Sequence, residues 1–357
     1  MIVHRHSLSP FALRPSPKGK IEKSMSYDEV LYIIGNGFDL HHQVKSSYKD
    51  FSIWLRRKNP QLYMMYSAVC NYKALWSDFE TSMAYVNRDY LLECGKMLLP
   101  DPKKDPDDYT VADIMLGGDH AQGVVEELLS DLRIQLHKWI CSITPPRDYD
   151  SHKLQIDANA HFLSFNYTTF LETHYGIEHE RINYIHGNKA GKWGTLVLGH
   201  GEDNQRIFDK WFKKKYNTPH YNKKGKKYYT RDAFYHAYHD EAYLPEYEMI
   251  TEAVEGYYHE AQKDVETIIR KNNEYFQTLS NIRHIYVWGY SFSSVDIPYL
   301  RKIVEYNTAP SQLRWHVSYY SEKDRNKAIK QVEALGFPAD VIELKTLDEW
   351  RLPHNIK

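Results

Sequence analysis

The chain has 357 residues, with 46 Lys and Arg against 47 Asp and Glu and a formal net charge of −1. Acids and bases are interspersed, so the overall balance points to neither nucleic acid nor a membrane surface, and any polyanion contact has to be local. The three cysteines, Cys70, Cys94 and Cys141, stand singly, which excludes a disulfide framework and a paired-thiolate metal centre.

No apolar run approaches the ~20 residues of a membrane helix. The N-terminus lacks the apolar centre of a signal peptide, so a cytoplasmic protein is expected. Residues 1–26, rich in Pro, Ser and basic groups, offer little apolar surface against the entropy of ordering and are expected to be loose. A single domain is expected over residues 27–350, with an α/β core and largely helical insertions at about 48–150 and 205–280.

Residues 30–34 read as a buried strand that stops at Gly35 and gives way to a helix. The first insertion carries amphipathic helical patterns, among them Val125, Leu128, Leu129, Leu132 and Leu136. Residues 161–165 form a second expected strand ending at Asn166, followed by a helix over 168–175 closed by Gly176. Short strands at 181–185 and 195–198 end at His186-Gly187 and at Gly199-His200-Gly201.

The second insertion is rich in Tyr, Lys and Glu, with helices expected at 246–258 and 262–279. Residues 284–288 then form a strand ending at Gly289-Tyr290-Ser291. Asp296 and Pro298 start a helix through Tyr306. A strand at 313–319, a helix at 323–335 with Gly336 past its end, and a strand at 340–344 close the chain. Strands alternating with helices specify a parallel sheet covered on both faces. Open sheets of this kind bind ligands at the carboxyl ends of their strands, and the unusual residues cluster at those ends.

Gly35-Asn36-Gly37 at a strand end lets the backbone turn sharply and approach a ligand, and the helix start behind it supplies N–H groups for phosphate. The full G-x-G-x-x-G pattern of dehydrogenases is absent. The segment Ile34-Gly35-Asn36-Gly37-Phe38-Asp39-Leu40, followed by His42, Ser46, Tyr48 and Phe51, resembles the opening signature of the abortive-infection AbiH family. It departs from that signature at Gln43, usually Gly, and at Ser46, usually Thr. Trp76 to Glu80, Phe165 to Glu172, Ile185-His186-Gly187, Leu198-Gly199-His200 and Trp288 to Asp296 continue the resemblance in order.

The same order is similar to that of the divergent sirtuin-like domains of antiphage defence. This resemblance implies a Rossmann-like, sirtuin-type parallel sheet and a pocket for NAD or a related nucleotide. It also implies cleavage of the nicotinamide–ribose bond, with Asn166 near the nicotinamide ribose and His186 as the catalytic histidine. The pocket is expected to be built from Gly35, Asn36, Gly37 and Phe38, from Tyr167 and Gly187, and from Gly289, Tyr290 and Ser291. Asp39 and Glu80 are placed near a ribose hydroxyl or a histidine, and His42 and His200 beside them.

For several of these residues the sequence leaves a structural alternative open: Asn166 as a helix cap, His186 as the closure of a strand, Asp39 as the partner of first-turn N–H groups. Asp296 is expected to cap the next helix. The basic run at 210–231, with interleaved Trp and Tyr, has the composition of a single-stranded nucleic-acid surface and equally that of a solvated insert, which is preferred. His236, His239 and His259 do not make a metal site without Cys or acid partners, and no metal is expected. The expected partners are a nucleotide, a phage-derived trigger and a second copy of the chain. Two other functions remain open, a non-enzymatic nucleotide sensor and a nucleic-acid-cleaving toxin.

Overall fold

A computed structural model of the chain describes residues 29–99, 109–147, 149–191, 195–216, 220–221, 223–225, 227–228 and 245–351. The segment expected to be loose, 1–26, lies outside these residues, as do His236 and His239.

Six strands form one sheet: β1 (Val30–Ile34), β2 (His161–Ser164), β3 (Ile182–Tyr184), β4 (His284–Trp288), β5 (Arg314–Ser318) and β6 (Ile342–Lys345). All pairings are parallel, in the order β3-β2-β1-β4-β5-β6. The chain therefore winds one way from β1 to β3 and the other way from β4 to β6, which opens a crevice at the carboxyl ends of β1 and β4. Ile34 pairs with Ser164 on one side and Trp288 on the other, so three strands end at one level, just before Gly35, Phe165 and Gly289.

The helices are α1 (Asn36–His41), then α2 (Tyr48–Lys58), α3 (Pro60–Val69), α4 (Phe79–Ser82), α5 (Arg88–Lys96), α6 (Val111–Glu126) and α7 (Leu132–Ser142) in the first insertion. α8 (Phe170–Tyr175) follows β2, and α9 (Asn204–Tyr216), α10 (Pro245–Glu260), α11 (Val265–Lys271) and α12 (Asn273–Thr278) lie between β3 and β4. α13 (Ile297–Tyr306) and α14 (Glu322–Ala334) follow β4 and β5. Side-chain caps fix several starts: Ser47 with Asp50, Thr110 with Asp113 and Ser321 with Asp324 make reciprocal capping boxes for α2, α6 and α14.

Alternate residues of the central strands go to opposite faces. Leu31, Ile33, Ile285 and Val287 pack under α12, α13 and α14 through Phe276, Leu300, Ile303 and Val332. Val30, Tyr32, Ile34 and Trp288 pack with Phe38 of α1 and Phe170 and Leu171 of α8. Each such aliphatic or aromatic side chain contributes about 1.5–3 kcal/mol on burial.

The two insertions merge into one helical layer. Val125, Leu128, Leu129, Leu132 and Leu136 are all buried in it, and Ile250, Val254 and Tyr257 of α10 join the same core. α10 comes close to α6 because Gly118 has no side chain; a Cβ there would lie 2.5 Å from Met249 Cβ. Two aromatic residues of α9 pack against this layer as well. Phe208 and Trp211, with Tyr258, lie against the guanidinium of Arg88, which also pairs with Glu255.

Two expected elements take a different form. Residues 195–198 are not a strand, because Leu196 and Leu198 are buried in the helical layer instead of the sheet. The helix expected over 262–279 starts later, at Val265, and is divided at Asn272 into α11 and α12. The backbone at 261–263 bonds to His200 (His200 N to Ala261 O 2.9 Å, Lys263 N to His200 O 2.8 Å), and Asp264 then caps α11 through the Thr267 amide. Gln43, where the resembling family usually has Gly, holds φ at 60°, a left-handed conformation in which glycine carries no steric penalty. Among the described residues no helix is long and apolar enough to cross a membrane.

Candidate functional site

The crevice between β1 and β4 is sealed at its base by backbone packed on backbone. The Gly37 amide donates to Gly289 O (2.8 Å) and the Gly35 amide to Trp288 O (3.0 Å). A Cβ on Gly289, whose φ is +61°, would lie 2.0 Å from the Phe38 nitrogen, and one on Gly35 would lie 2.6 Å from Gly289 O. These glycines exist so that the two strand ends can touch. The set of N–H groups expected at this turn and helix start for a phosphate is narrowed, because those of Gly35, Gly37 and Phe38 donate within the protein. Gly37 donates to Gly289, and Phe38 donates to Gly35 O at 2.9 Å.

Above this junction opens a cavity of about 610 Å³, large enough for a nucleotide-sized ligand. Gly35, Asn36, Gly37, Asp39, Glu80, Asn166, Tyr167, His186, His200, Gly289, Tyr290 and Ser291 all line it. Phe38, His42 and Gly187 do not. Phe38 is fully buried between Trp288, Phe170 and Tyr175. His42, one helical turn on, donates from Nδ1 to Phe38 O (2.8 Å) and accepts from the Tyr175 hydroxyl at Nε2 (2.6 Å), so both ring nitrogens are committed to the core. Gly187 serves packing, since a Cβ there would meet Thr195 O at 2.7 Å.

Asn166 reaches across the sheet from the end of β2. Its amide nitrogen donates to Asp39 Oδ1 (2.9 Å) and Gly35 O (3.2 Å), and Thr168 donates to Asp39 Oδ2 (2.6 Å). Asn166 therefore does not cap α8, whose N-cap is Thr169. Asp39, turned toward these side chains, is pushed up to about 6 by burial, against the pull of the two hydrogen bonds. With its nitrogen so engaged, Asn166 presents Oδ1 without a partner among the described residues.

His186, 3% exposed, stands edge-on to Phe165 and Tyr299. Burial, with Lys263 adding to it, holds its imidazole well below the usual value, so the ring is neutral at pH 7. Its Nε2 lies 3.8 Å from Asp296 Oδ1 and has no hydrogen-bond partner among the described residues. Asp296 makes no capping bond to α13, contrary to expectation, because its carboxylate turns inward to Lys263 Nζ at 3.4 Å. Lys263, with its side chain wholly buried, also holds Glu80 Oε2 at 2.8 Å. Tyr48 donates to the other Glu80 oxygen at 2.7 Å. Burial pushes Asp296 up to about 6, with Lys263 opposing and Glu80 adding.

Several buried polar atoms at this end have no partner among the described residues. Besides Asn166 Oδ1 and His186 Nε2 they include the hydroxyls of Tyr290 and Tyr299. Buried polar groups are nearly always paired, so each orphan asks for a water, an ion or a ligand. Among the described residues no group of three or more His, Cys, Asp or Glu is arranged to hold a metal ion. Asp296 and, behind it, Lys263 are among the members that the sequence analysis did not place in the site. The sequence clue to Lys263 was a lone lysine before a capping Asp264 inside an apparent helix.

The buried groups set a testable pH dependence. His42 and His200 are held at about 4 against an ordinary 6.5, so unfolding takes up protons and stability falls as pH drops through this range. Asp39, at about 6 against 3.8, acts in the opposite sense; its contribution is full below the lower value and is lost as pH rises through the upper one. Asp39→Asn removes that offset. Its loss of stability between pH 6 and pH 4 should be steeper than wild type by about one proton, ~1.4 kcal/mol per pH unit. Urea melts across this range check it, and parallel slopes would contradict the assignment of a protonated Asp39.

A parallel sheet of this strand order with a polar cavity at its reversal point defines an α/β protein of the Rossmann-like class. The model of the family described as "Bacteriophage abortive infection AbiH" matches residues 31–319, and the chain belongs to that family. The match runs from β1 into the turn after β5. Membership gives the chain a role in bacteriophage abortive infection. No curated protein and no solved structure matches the chain significantly.

Proposed function

We propose that the chain hydrolyses NAD to nicotinamide and ADP-ribose as its part in abortive infection. The observation that carries this reading is that Asn166 and His186 both line one cavity at the reversal point of the sheet and that each holds a buried polar atom, Oδ1 and Nε2, without a partner among the described residues. The sirtuin-like order of the strand-end motifs supports NAD as the ligand.

Breaking the bond from ribose C1′ to the pyridinium nitrogen sends its electron pair to the ring, which leaves as neutral nicotinamide, and builds oxocarbenium character on the sugar. Water then bonds to C1′ and loses a proton. A neutral His186 accepts that proton, directly or through a ribose hydroxyl. The 3.8 Å gap to Asp296 is too wide for a hydrogen bond, yet narrow enough for one hydroxyl to donate to either group. Asn166 Oδ1 is an acceptor that orients a second hydroxyl.

The test is nicotinamide release from NAD by the full chain, alone and with lysate from phage-infected cells. Turnover is expected, and His186→Ala should lower it by about 10²–10⁴-fold while the protein still melts cooperatively. Absence of both turnover and NAD binding under every condition rejects the reading.

A further inference from the structure

The walls of the cavity are unevenly charged. Asp39, Asp78, Glu80, Glu202 and Asp296 contribute carboxylates, against the ammonium of Lys327 at the cavity wall. Lys263 touches two of the carboxylates, Glu80 and Asp296, and one lysine offsets one of their charges. His186 and His200 are kept neutral by burial. At the inner end, beside His186, the Glu80 and Asp296 carboxylates therefore stand against the single ammonium of Lys263, an excess of one negative charge.

Two further features point the same way. Asn166, more than nine-tenths buried and part of the cavity lining, has its amide nitrogen held by Gly35 O and Asp39, so its oxygen, the negative end of the amide, is the atom left without a partner among the described residues. Phe165 and Tyr290, with ring centroids 4.8 Å apart, also line the wall, and aromatic faces attract cations. Lys327, which donates to Ser291 O at 2.7 Å, and the serines at 291 and 294 are exposed at the cavity wall.

We propose that the inner end of the cavity is a cation site that selects a positively charged pyridinium over its neutral counterpart. This rests on the reading of the chain as an NAD hydrolase and adds the charge of the substrate ring to it. The substrate enters positive at the ring nitrogen. As the glycosidic bond breaks, the charge passes to C1′ and the ring oxygen of the ribose. The total is unchanged, so the carboxylates of Glu80 and Asp296 act on a cation through the whole step.

The experiment uses His186→Ala protein, which blocks turnover, and two ligand pairs of near-equal shape: 1-methylnicotinamide with nicotinamide, and NAD with NADH. Binding is followed by ligand-observed NMR and calorimetry. The cation of each pair should bind about tenfold tighter, ~1.4 kcal/mol. Adding Asp296→Asn or, separately, Glu80→Gln should bring the ratio toward one, each variant being checked for an intact melting transition.

Equal affinities within both pairs, or a ratio that neither carboxylate substitution changes, overturn the cation site. The two proposals fail differently. If both dinucleotides are refused while 1-methylnicotinamide is still preferred, NAD falls as the substrate and the cation site stands. If NAD and NADH bind equally well and the two small rings are not distinguished, the cation site falls and the nucleotide pocket stands.

Discussion

Gly289→Ala is expected to destabilise the protein by at least about 4 kcal/mol, a large share of the ~5–15 kcal/mol typical of a domain. The added Cβ would stand 2.0 Å from the Phe38 nitrogen and 2.4 Å from the Gly37 carbonyl carbon. Both are backbone atoms, so no rotamer change relieves the overlap, and β1 and β4 have to separate. The left-handed conformation at +61° adds roughly 1–2 kcal/mol for any residue with a Cβ. Gly176 supplies the control. It ends α8 at φ +68° with nothing within 4 Å of an added Cβ, so Gly176→Ala carries the conformational penalty alone, roughly 1–2 kcal/mol. Urea melts of the two variants separate the effects. Equal losses would mean that the strand ends do not touch as described.

The strand ends were legible in the sequence because each is marked locally, by an apolar run cut off at Gly or Asn. Ile34-Gly35, Ser164-Phe165-Asn166 and Trp288-Gly289 come together at one level because parallel pairing puts like ends side by side. Inside the first motif the sequence held more information than the reading drew from it. Phe38 and His42 are four residues apart on one side of the turn that α1 makes, and they go to the core. Asn36 and Asp39 are three apart on the other side and line the cavity. Helical spacing separates the two pairs.

The acidic cluster had no such local mark. Glu80 and Lys263 are 183 positions apart, one in each insertion, and only the merging of the two insertions into one layer brings them together. Asp296 was legible as a polar residue before Pro298, the pattern of a cap. Its turn inward toward Lys263 depends on that distant partner.

Lys263→Met should cost about 3–5 kcal/mol, because it leaves the Glu80 and Asp296 carboxylates buried without their cation. The sign of the pH dependence is specific. Asp296 already stands at about 6 against 3.8 with the lysine present, and without it the folded-state value rises further. Stability contributed by the protonated carboxyl is full below the unfolded value and is lost as pH rises through the folded one. The deficit of Lys263→Met relative to wild type should therefore be small near pH 4 and grow toward pH 8. Replacing all three charges together, as Lys263→Met with Glu80→Gln and Asp296→Asn, should recover most of the loss, since a buried ion cluster and a neutral one of similar volume are often equally stable. A single substitution as costly at pH 4 as at pH 8 would show that Lys263 acts by packing and not by charge. If wild type shows the proposed release of nicotinamide and the triple variant folds as well but lacks it, the cluster's charges are retained for the chemistry of the cavity, because folding does without them.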